Sequence, residues 1–408
     1  MTLDFARVPN LEKLILKGCT KLSKIHASLG DLKHLILLDL NGCTCLKSLP
    51  CKINLESLEI FRLSSCSKLK NFPEIVGNMS RLLQLYLDGT AIEDLPLSME
   101  QLTGLIRLDL TNCKKLLSLP RVIYSLTSLN TLTLSGCSKV HKMEENLGNL
   151  EGLKKLDMSG TGIRDLPEAI CSLTSLKTLT LSGCLKLDNM PMNLGNLEGL
   201  EELDVSGTAI REPPSSIFYL KNLKILSFQG CNGVSSKSWS WKKPLNFPSM
   251  TKTPDLMGLV LPSVSGLCSL TTLKIRNCNL QAIPSDIGCL SSLEELDLSG
   301  NNFVLVPESI NQLSNLREFW VENCKSLQLL LELQSSPYIF VWANGCTSLE
   351  SLLPVKMKDN LQNYLYLLNC FQFVENQGRC DLFTTMLREY FQVSLSLSLS
   401  FSLSLSFL

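Results

Sequence analysis

LTSLNTLTLSGC occupies residues 126–137, and LTSLKTLTLSGC returns at 173–184 with a single change. In each copy two leucines, Leu132 and Leu134 or Leu179 and Leu181, flank a threonine. Alternation with period two marks a strand that turns its leucines to one side and Thr133 or Thr180 to the other. Leu129 before the strand and Cys137 after it complete a frame, L-x-x-L-x-L-x-x-C. The frame, with Thr or Asn sometimes replacing Cys, starts at Leu11, Leu35, Leu58, Leu82, Leu105, Leu129, Leu153, Leu176, Leu200, Leu223, Leu270, Leu293 and Leu316, and weakly at Tyr338. The steps are 22–24 residues, except for one of 47 between Leu223 and Leu270. That step is two periods, so one repeat there is degraded or looped out. The near identity of 126–172 and 173–219 reads as a tandem duplication of a two-coil unit.

Outside the strand each period carries L-x-x-L-P, as at Leu116–Pro120. Next comes P-x-x-I-x-x-L, as at Pro284, Ile287 and Leu290 or Pro307, Ile310 and Leu313. Apolar residues three apart predict a short helical turn, opened by a proline that needs no hydrogen bond there. Stacked coils then form a parallel sheet with strands about 4.8 Å apart. The bulkier turns on the other side bend the stack, so the strand face is concave. The expected architecture is an α/β solenoid, a horseshoe with a parallel sheet on its concave face and short helical turns on its convex face. The period and the frame resemble the leucine-rich repeat.

The 17 cysteines separate on this frame. Cys19, Cys43, Cys66, Cys113, Cys137, Cys184, Cys231, Cys278, Cys324 and Cys346 take the ladder position, which Thr90, Thr161, Thr208 and Asn301 fill elsewhere. The position points inward and must satisfy backbone groups of the turn, which a thiol, a hydroxyl or an amide can do. Regular spacing at one coil per cysteine matches no zinc motif, and Cys43-x-Cys45 with Cys51 lacks the two-residue gap of a zinc knuckle.

The chain has 408 residues, 38 basic and 38 acidic. A net charge of zero argues against nucleic acid as a partner. The first residues lack the basic start and apolar run of a signal peptide, and no stretch reaches the roughly 18 apolar residues of a membrane helix. The reading is a cytoplasmic or nuclear protein with reduced thiols. No phosphate loop, H-E-x-x-H or G-x-S-x-G occurs. His26, His34 and His141 read as solvated turn positions, and Gly160-Thr-Gly162 is a repeat turn rather than half a dinucleotide fingerprint. The expectation is a binding module with no enzymatic activity, no cofactor and no metal. Its partners would be proteins, not nucleic acid, membranes or small molecules.

The outward strand positions show which surface could bind. One row runs Ile15, Asp39, Arg62, Tyr86, Asp109, Thr133, Asp157, Thr180, Asp204, Ser227, Lys274, Asp297, Trp320, Trp342. Its middle is small and neutral. At the C-terminal end Trp320 and Trp342 lie beside Phe340, Glu318, Glu322, Lys274 and Arg276, the composition of an interaction hot spot. Arg62 and Tyr86 are the further candidates on this face. A second reading has the chain after residue 353 covering the two tryptophans, since large aromatic patches are seldom left bare. The aperiodic stretch 232–264, with Trp239, Trp241, Lys242 and Lys243, reads as an irregular loop.

Several segments carry a narrower resemblance. VPNLEKLILKGCTKLSKIHASLGDL at 8–32, LDGTAIEDLP at 87–96, VSGTAIREPPSSI at 205–217, NGCTSLESL at 344–352 and LLNCFQFVENQG at 367–378 resemble plant intracellular immune receptors of the TIR, nucleotide-binding and leucine-rich repeat class. The coils read L-x-x-L-P, not the L-x-G-x-I-P of secreted plant receptors. The resemblance implies a repeat sensor at 1–353, the start of a β-rich post-repeat domain at 354–390, and an upstream TIR and ADP-binding region outside this chain. It implies a partner that is a pathogen effector, its host target or the receptor's own nucleotide-binding domain. The alternative is a free-standing cytosolic repeat scaffold in signalling. The Ser-Leu alternation at 391–408 belongs to neither and reads as translated CT-repeat DNA.

Overall fold

The computed structural model describes residues 4–231, 258–330, 338–352 and 362–370. The loop residues Trp239, Trp241, Lys242 and Lys243 and the Ser-Leu tail lie outside these. Fifteen strands form one parallel sheet in strict chain order, from Lys13–Ile15 to Gln362–Tyr366. Most are three residues long, and the middle residue is the buried one, as in Thr131–Thr133 where Leu132 is fully buried. A strand this short presents one leucine to the core and two residues to the surface, as the alternation requires.

The convex connections are 3-10 turns, and the described residues contain no α-helix. Apolar residues exactly one turn apart at i and i+3 are what a 3-10 helix, with three residues per turn, places on one side. Five turns follow a proline: Leu97–Gln101, Arg121–Ser125, Glu168–Ser172, Ser215–Tyr219 and Glu308–Gln312. The proline sits just outside the turn in extended conformation. Its carbonyl accepts the N–H of Met99, Ile123, Ile170, Ile217 or Ile310 at 3.0–3.2 Å. Short parallel pairs replace the turn at Lys52–Ile53 with Glu74–Ile75, and at Leu329–Leu330 with Ser351–Leu352.

The sheet adds to the sequence reading at two places. The strands Ile225–Ser227 and Thr272–Lys274 pair directly, so the double step contributes no strand between them. Residues 258–264, expected in the irregular loop, pack into the coil instead. Leu259 and Val264 are buried, and the Leu259 and Val260 amides donate to the carbonyls of Cys278 and Arg211. At the other end the sheet runs past residue 353, through Gln362–Tyr366, which pairs with Tyr338–Trp342. This last coil reads Gln362-x-x-Leu365-x-Leu367-x-x-Cys370, and Cys370 donates to the Ala343 carbonyl at 3.2 Å. Gln362 in place of the first leucine hid the frame.

From Cys43 onward the ladder cysteines tie each coil to the one before. Each thiol donates to a carbonyl of the preceding coil: Cys43 to Leu16, Cys66 to Leu40, Cys184 to Met158, Cys231 to Val205 and Cys324 to Leu298, at 3.1–3.3 Å. Thr90, Thr161 and Thr208 pair with the thiols of Cys113, Cys184 and Cys231 at 3.3–3.4 Å. Cys19, in the first described coil, is exposed. Asn301 does most. Its amide donates to Ile275 and Leu298 carbonyls at 2.7 and 2.8 Å, and its oxygen accepts the Cys278 and Leu280 amides at 3.1 and 3.0 Å. Truncation leaves several buried polar groups unpaired, each costing roughly 1–3 kcal/mol. Asn301→Ala is therefore expected to destabilise by about 3–5 kcal/mol, against about 1 kcal/mol for Cys184→Ala, which loses one weak donor. Urea melts check this, and equal losses would contradict the ladder account.

Candidate functional site

The outward row expected from the sequence is the row in register. Pairing aligns Ile15 with Asp39, Arg62 and Tyr86 in turn, and Ser227 with Lys274, Asp297, Trp320 and Trp342. Glu318 and Phe340 align in the row two residues earlier. Trp320, Trp342, Phe340 and Glu318 therefore meet on two neighbouring strands, with Glu322 in the turn after Trp320; Lys274 ends the strand before Glu295–Asp297, and Arg276 lies in the turn after it. Arg62 and Tyr86 lie near the opposite end of the sheet.

The aspartates of the row have a structural duty. Asp39, Asp109, Asp157, Asp204 and Asp297 each accept the backbone N–H two residues on, at 2.9–3.1 Å. These bonds satisfy the amides where the strand turns toward the ladder. The central dish, of about 590 Å³, is lined by small polar groups including Ser182, Ser206 and Ser227, with Glu202, Asp204 and Lys274. It offers a partner few apolar anchors.

Near the N-terminal end the face is cationic and aromatic. The Tyr86 ring has the Arg62 guanidinium at 5.8 Å from its centroid and the Arg107 guanidinium at 5.4 Å. Arg62 reaches Asp39 at 3.5 Å, and Arg107 reaches Asp109 at 3.2 Å. Burial pushes the Asp109 carboxyl up, but hydrogen bonds from Thr111 and Arg107 outweigh it and hold the group below the usual range. The sequence reading missed Arg107. Its signal is the first outward position of the strand after Tyr86.

At the C-terminal end Tyr366 stacks on Trp342, with ring centroids 4.0 Å apart and planes 4° from parallel. The sheet itself thus brings the chain beyond 353 against one of the two tryptophans. Tyr366 continues the outward row. Phe340 remains 36% exposed, and Trp320 is half-buried.

None of this assembles catalytic chemistry. The His26 ring nitrogen Nδ1 contacts both Ser28 Oγ at 2.8 Å and Asp4 at 3.4 Å. A relay needs the two ring nitrogens to face different partners; here one nitrogen faces both, capping the turn Ala27–Asp31. Burial pushes the Cys66, Cys278 and Cys346 thiols up to about 12, which leaves them protonated and poorly nucleophilic. Among the described residues no cluster of His, Cys, Asp and Glu could hold a metal ion. Incubation of the chain with ATP or NAD is expected to give no turnover above buffer; saturable turnover would contradict the binding-module reading.

Comparison with known proteins supplies the class. The family described as "Disease resistance protein RPS4B-like, leucine-rich repeats" matches residues 54–147, and the general leucine-rich repeat family matches 269–290 and 292–313. Residues 54–147 are thus similar to the repeats of plant disease-resistance proteins. TMV resistance protein N of Nicotiana glutinosa is 36% identical over 161 residues, 39% of this chain and 14% of that protein. Disease resistance protein RPP2A of Arabidopsis thaliana is 38% identical over 104 residues, 26% of this chain and 8% of that protein. The chain thus spans only a small part of these relatives' length. A solved leucine-rich repeat structure, the TLR13–ssRNA13 complex, is 20% identical with a TM-score of 0.57, covering 90% of this chain and 57% of that one. It shows the shared fold. The leucine-rich repeat family that matches residues 269–290 and 292–313 is one of protein-interaction modules.

Proposed function

We propose that this chain is the sensor of a plant intracellular immune receptor. Its strand face engages a pathogen effector, or the host protein that the effector targets, and thereby releases a nucleotide-binding domain that the array otherwise restrains. The observation that carries the reading is the change of chemistry along one register row. Threonines, a serine and the turn-bonded Asp157 and Asp204 fill the duplicated middle with small side chains, while Trp320 and Trp342 stand side by side at the C-terminal end. Large aromatic side chains are the anchors that dominate binding energy. The kinship with resistance proteins supports this role. It also supports a cytoplasmic site of action, and no helix of the described residues is long and apolar enough to cross a membrane. In this reading the array extends through Cys370.

Two binding titrations test the proposal. One uses the nucleotide-binding domain of TMV resistance protein N, and the other a panel of purified pathogen effectors and their host targets. At least one should bind the intact chain and lose about tenfold or more in affinity on Trp320→Ala with Trp342→Ala. Binding in neither titration, or binding indifferent to both substitutions, would overturn it.

A further inference from the structure

Resting on that reading of the face, we propose that the C-terminal end of the row accepts a basic side chain, arginine or lysine, carried by the protein partner. The contrast between the two ends of the sheet points there. Tyr86 is already supplied with cations by its own neighbours: Arg62 from the strand before and Arg107 from the strand after lie within 6 Å of its ring, each backed by an aspartate. Trp320 holds the equivalent outward position nine strands on. Its register neighbours are Asp297 before and Trp342 after. Among the described residues no cation lies over its ring and no ring stacks on it, whereas Trp342 is taken by Tyr366.

Around this open ring the charge is negative. Glu295 and Glu318 align on adjacent strands, and neither makes an ion pair within the described residues. Glu322 accepts a hydrogen bond from the Asn344 amide at 2.9 Å. Lys274 ends the strand before Glu295–Asp297, two strands from Trp320 and so roughly 10 Å away along the sheet, and Arg276 follows it in the turn. They border the site without occupying it. An indole with Asp297 beside it in register and Glu318 two residues before it on its own strand attracts a guanidinium or ammonium through the ring quadrupole and the local charge together, and tryptophan is the strongest such acceptor. The arrangement around Tyr86 shows this geometry satisfied within the chain; around Trp320 no described residue supplies the cation.

The test uses the intact chain and three capped peptides of equal length: tetra-arginine, tetra-glutamate and tetra-glutamine. Binding is followed on the indole N–H resonances, with the Trp320 signal assigned by its loss in Trp320→Phe. Tetra-arginine should shift the Trp320 signal saturably. Glu318→Gln with Glu322→Gln should weaken it by about tenfold, Trp320→Ala should abolish the saturable phase, Trp320→Phe should retain it in a weakened form read from protein fluorescence, and Tyr86→Ala should leave it unchanged. A thermal melt confirms that each variant is folded. Equal binding of the neutral or acidic peptide, or arginine binding indifferent to the glutamine and alanine variants, overturns the proposal. If tetra-arginine fails while a protein partner still depends on Trp320, the basic specificity is wrong and the binding face stands. If neither depends on Trp320, both are wrong.

Discussion

Excision of residues 126–172 is expected to leave a protein that melts cooperatively, whereas excision of 126–137 alone should leave none. The longer cut joins Ser125 to Leu173, the equivalent of Leu126. The two leucines close their turns with nearly the same backbone, φ −79° and ψ 73° against φ −78° and ψ 63°. Every contact at the new junction has a counterpart in the intact chain. Cys184 would donate to the Leu110 carbonyl that Cys137 uses now. Gly183, with φ of +73°, would replace Gly136, with φ of +75°, against Asn112, where an added Cβ would meet the Asn112 side chain. Each coil touches only its neighbours, so two can leave without altering the rest. The shorter cut removes Leu126, Leu129, Leu132, Leu134 and Cys137, all fully buried. At roughly 1.5–3 kcal/mol per buried leucine the loss equals or exceeds the whole stability of a typical domain. Circular dichroism melts decide between the outcomes. A cooperative melt after the short cut, or none after the long one, refutes the stack.

The array should lose stability steeply in alkali, and buried thiols should be the cause. Burial raises Cys66, Cys278 and Cys346 from an ordinary 9.0 to about 12. The folded state therefore keeps protons that the unfolded state releases. The associated stability is complete below about pH 9 and disappears as the pH climbs toward 12. At pH 10.5 each thiol would cost up to about 2 kcal/mol, so the three together cost up to about 6 kcal/mol. Serine at these positions keeps a donor for the Leu40, Phe228 and Val321 carbonyls but does not ionise in this range. The triple variant Cys66→Ser, Cys278→Ser, Cys346→Ser should thus lose much less stability between pH 8 and pH 10.5 than the parent, both under reducing conditions. Parallel pH profiles for the two would show that the ladder thiols are not the titrating groups.

The register of the strand face was legible because two periods fix it. Alternation within each strand says which residues point out, and the 22–24 residue step says which of them align. Asp39, Arg62 and Tyr86, or Asp297, Trp320 and Trp342, needed nothing more. The convex side was less legible. Apolar spacing of three shows a turn but not whether it closes as a 3-10 or an α turn. Nor does it show that Lys52–Ile53 and Glu74–Ile75 would pair as strands. The last coil escaped because one leucine became Gln362 while the ladder cysteine, Cys370, remained. Cation placement over Tyr86 escaped for another reason. Arg107 is offset by two residues along the neighbouring strand, so a single-row reading passes over it. The roles of Trp320 and Trp342 differ in the same way, since only the pairing of Gln362–Tyr366 shows which ring acquires a cover.

The claim that recognition resides on the strand face, at its C-terminal end, is tested most directly by hydroxyl-radical footprinting. The intact chain would be labelled alone and in complex with the protein that binds in the titrations above. Protection should concentrate on Trp320, Phe340 and Trp342, and leave the exposed convex residues Leu97, Met192 and Tyr219 at their free rates. Protection of those convex side chains, with Trp320 and Phe340 still fully reactive, would contradict the account.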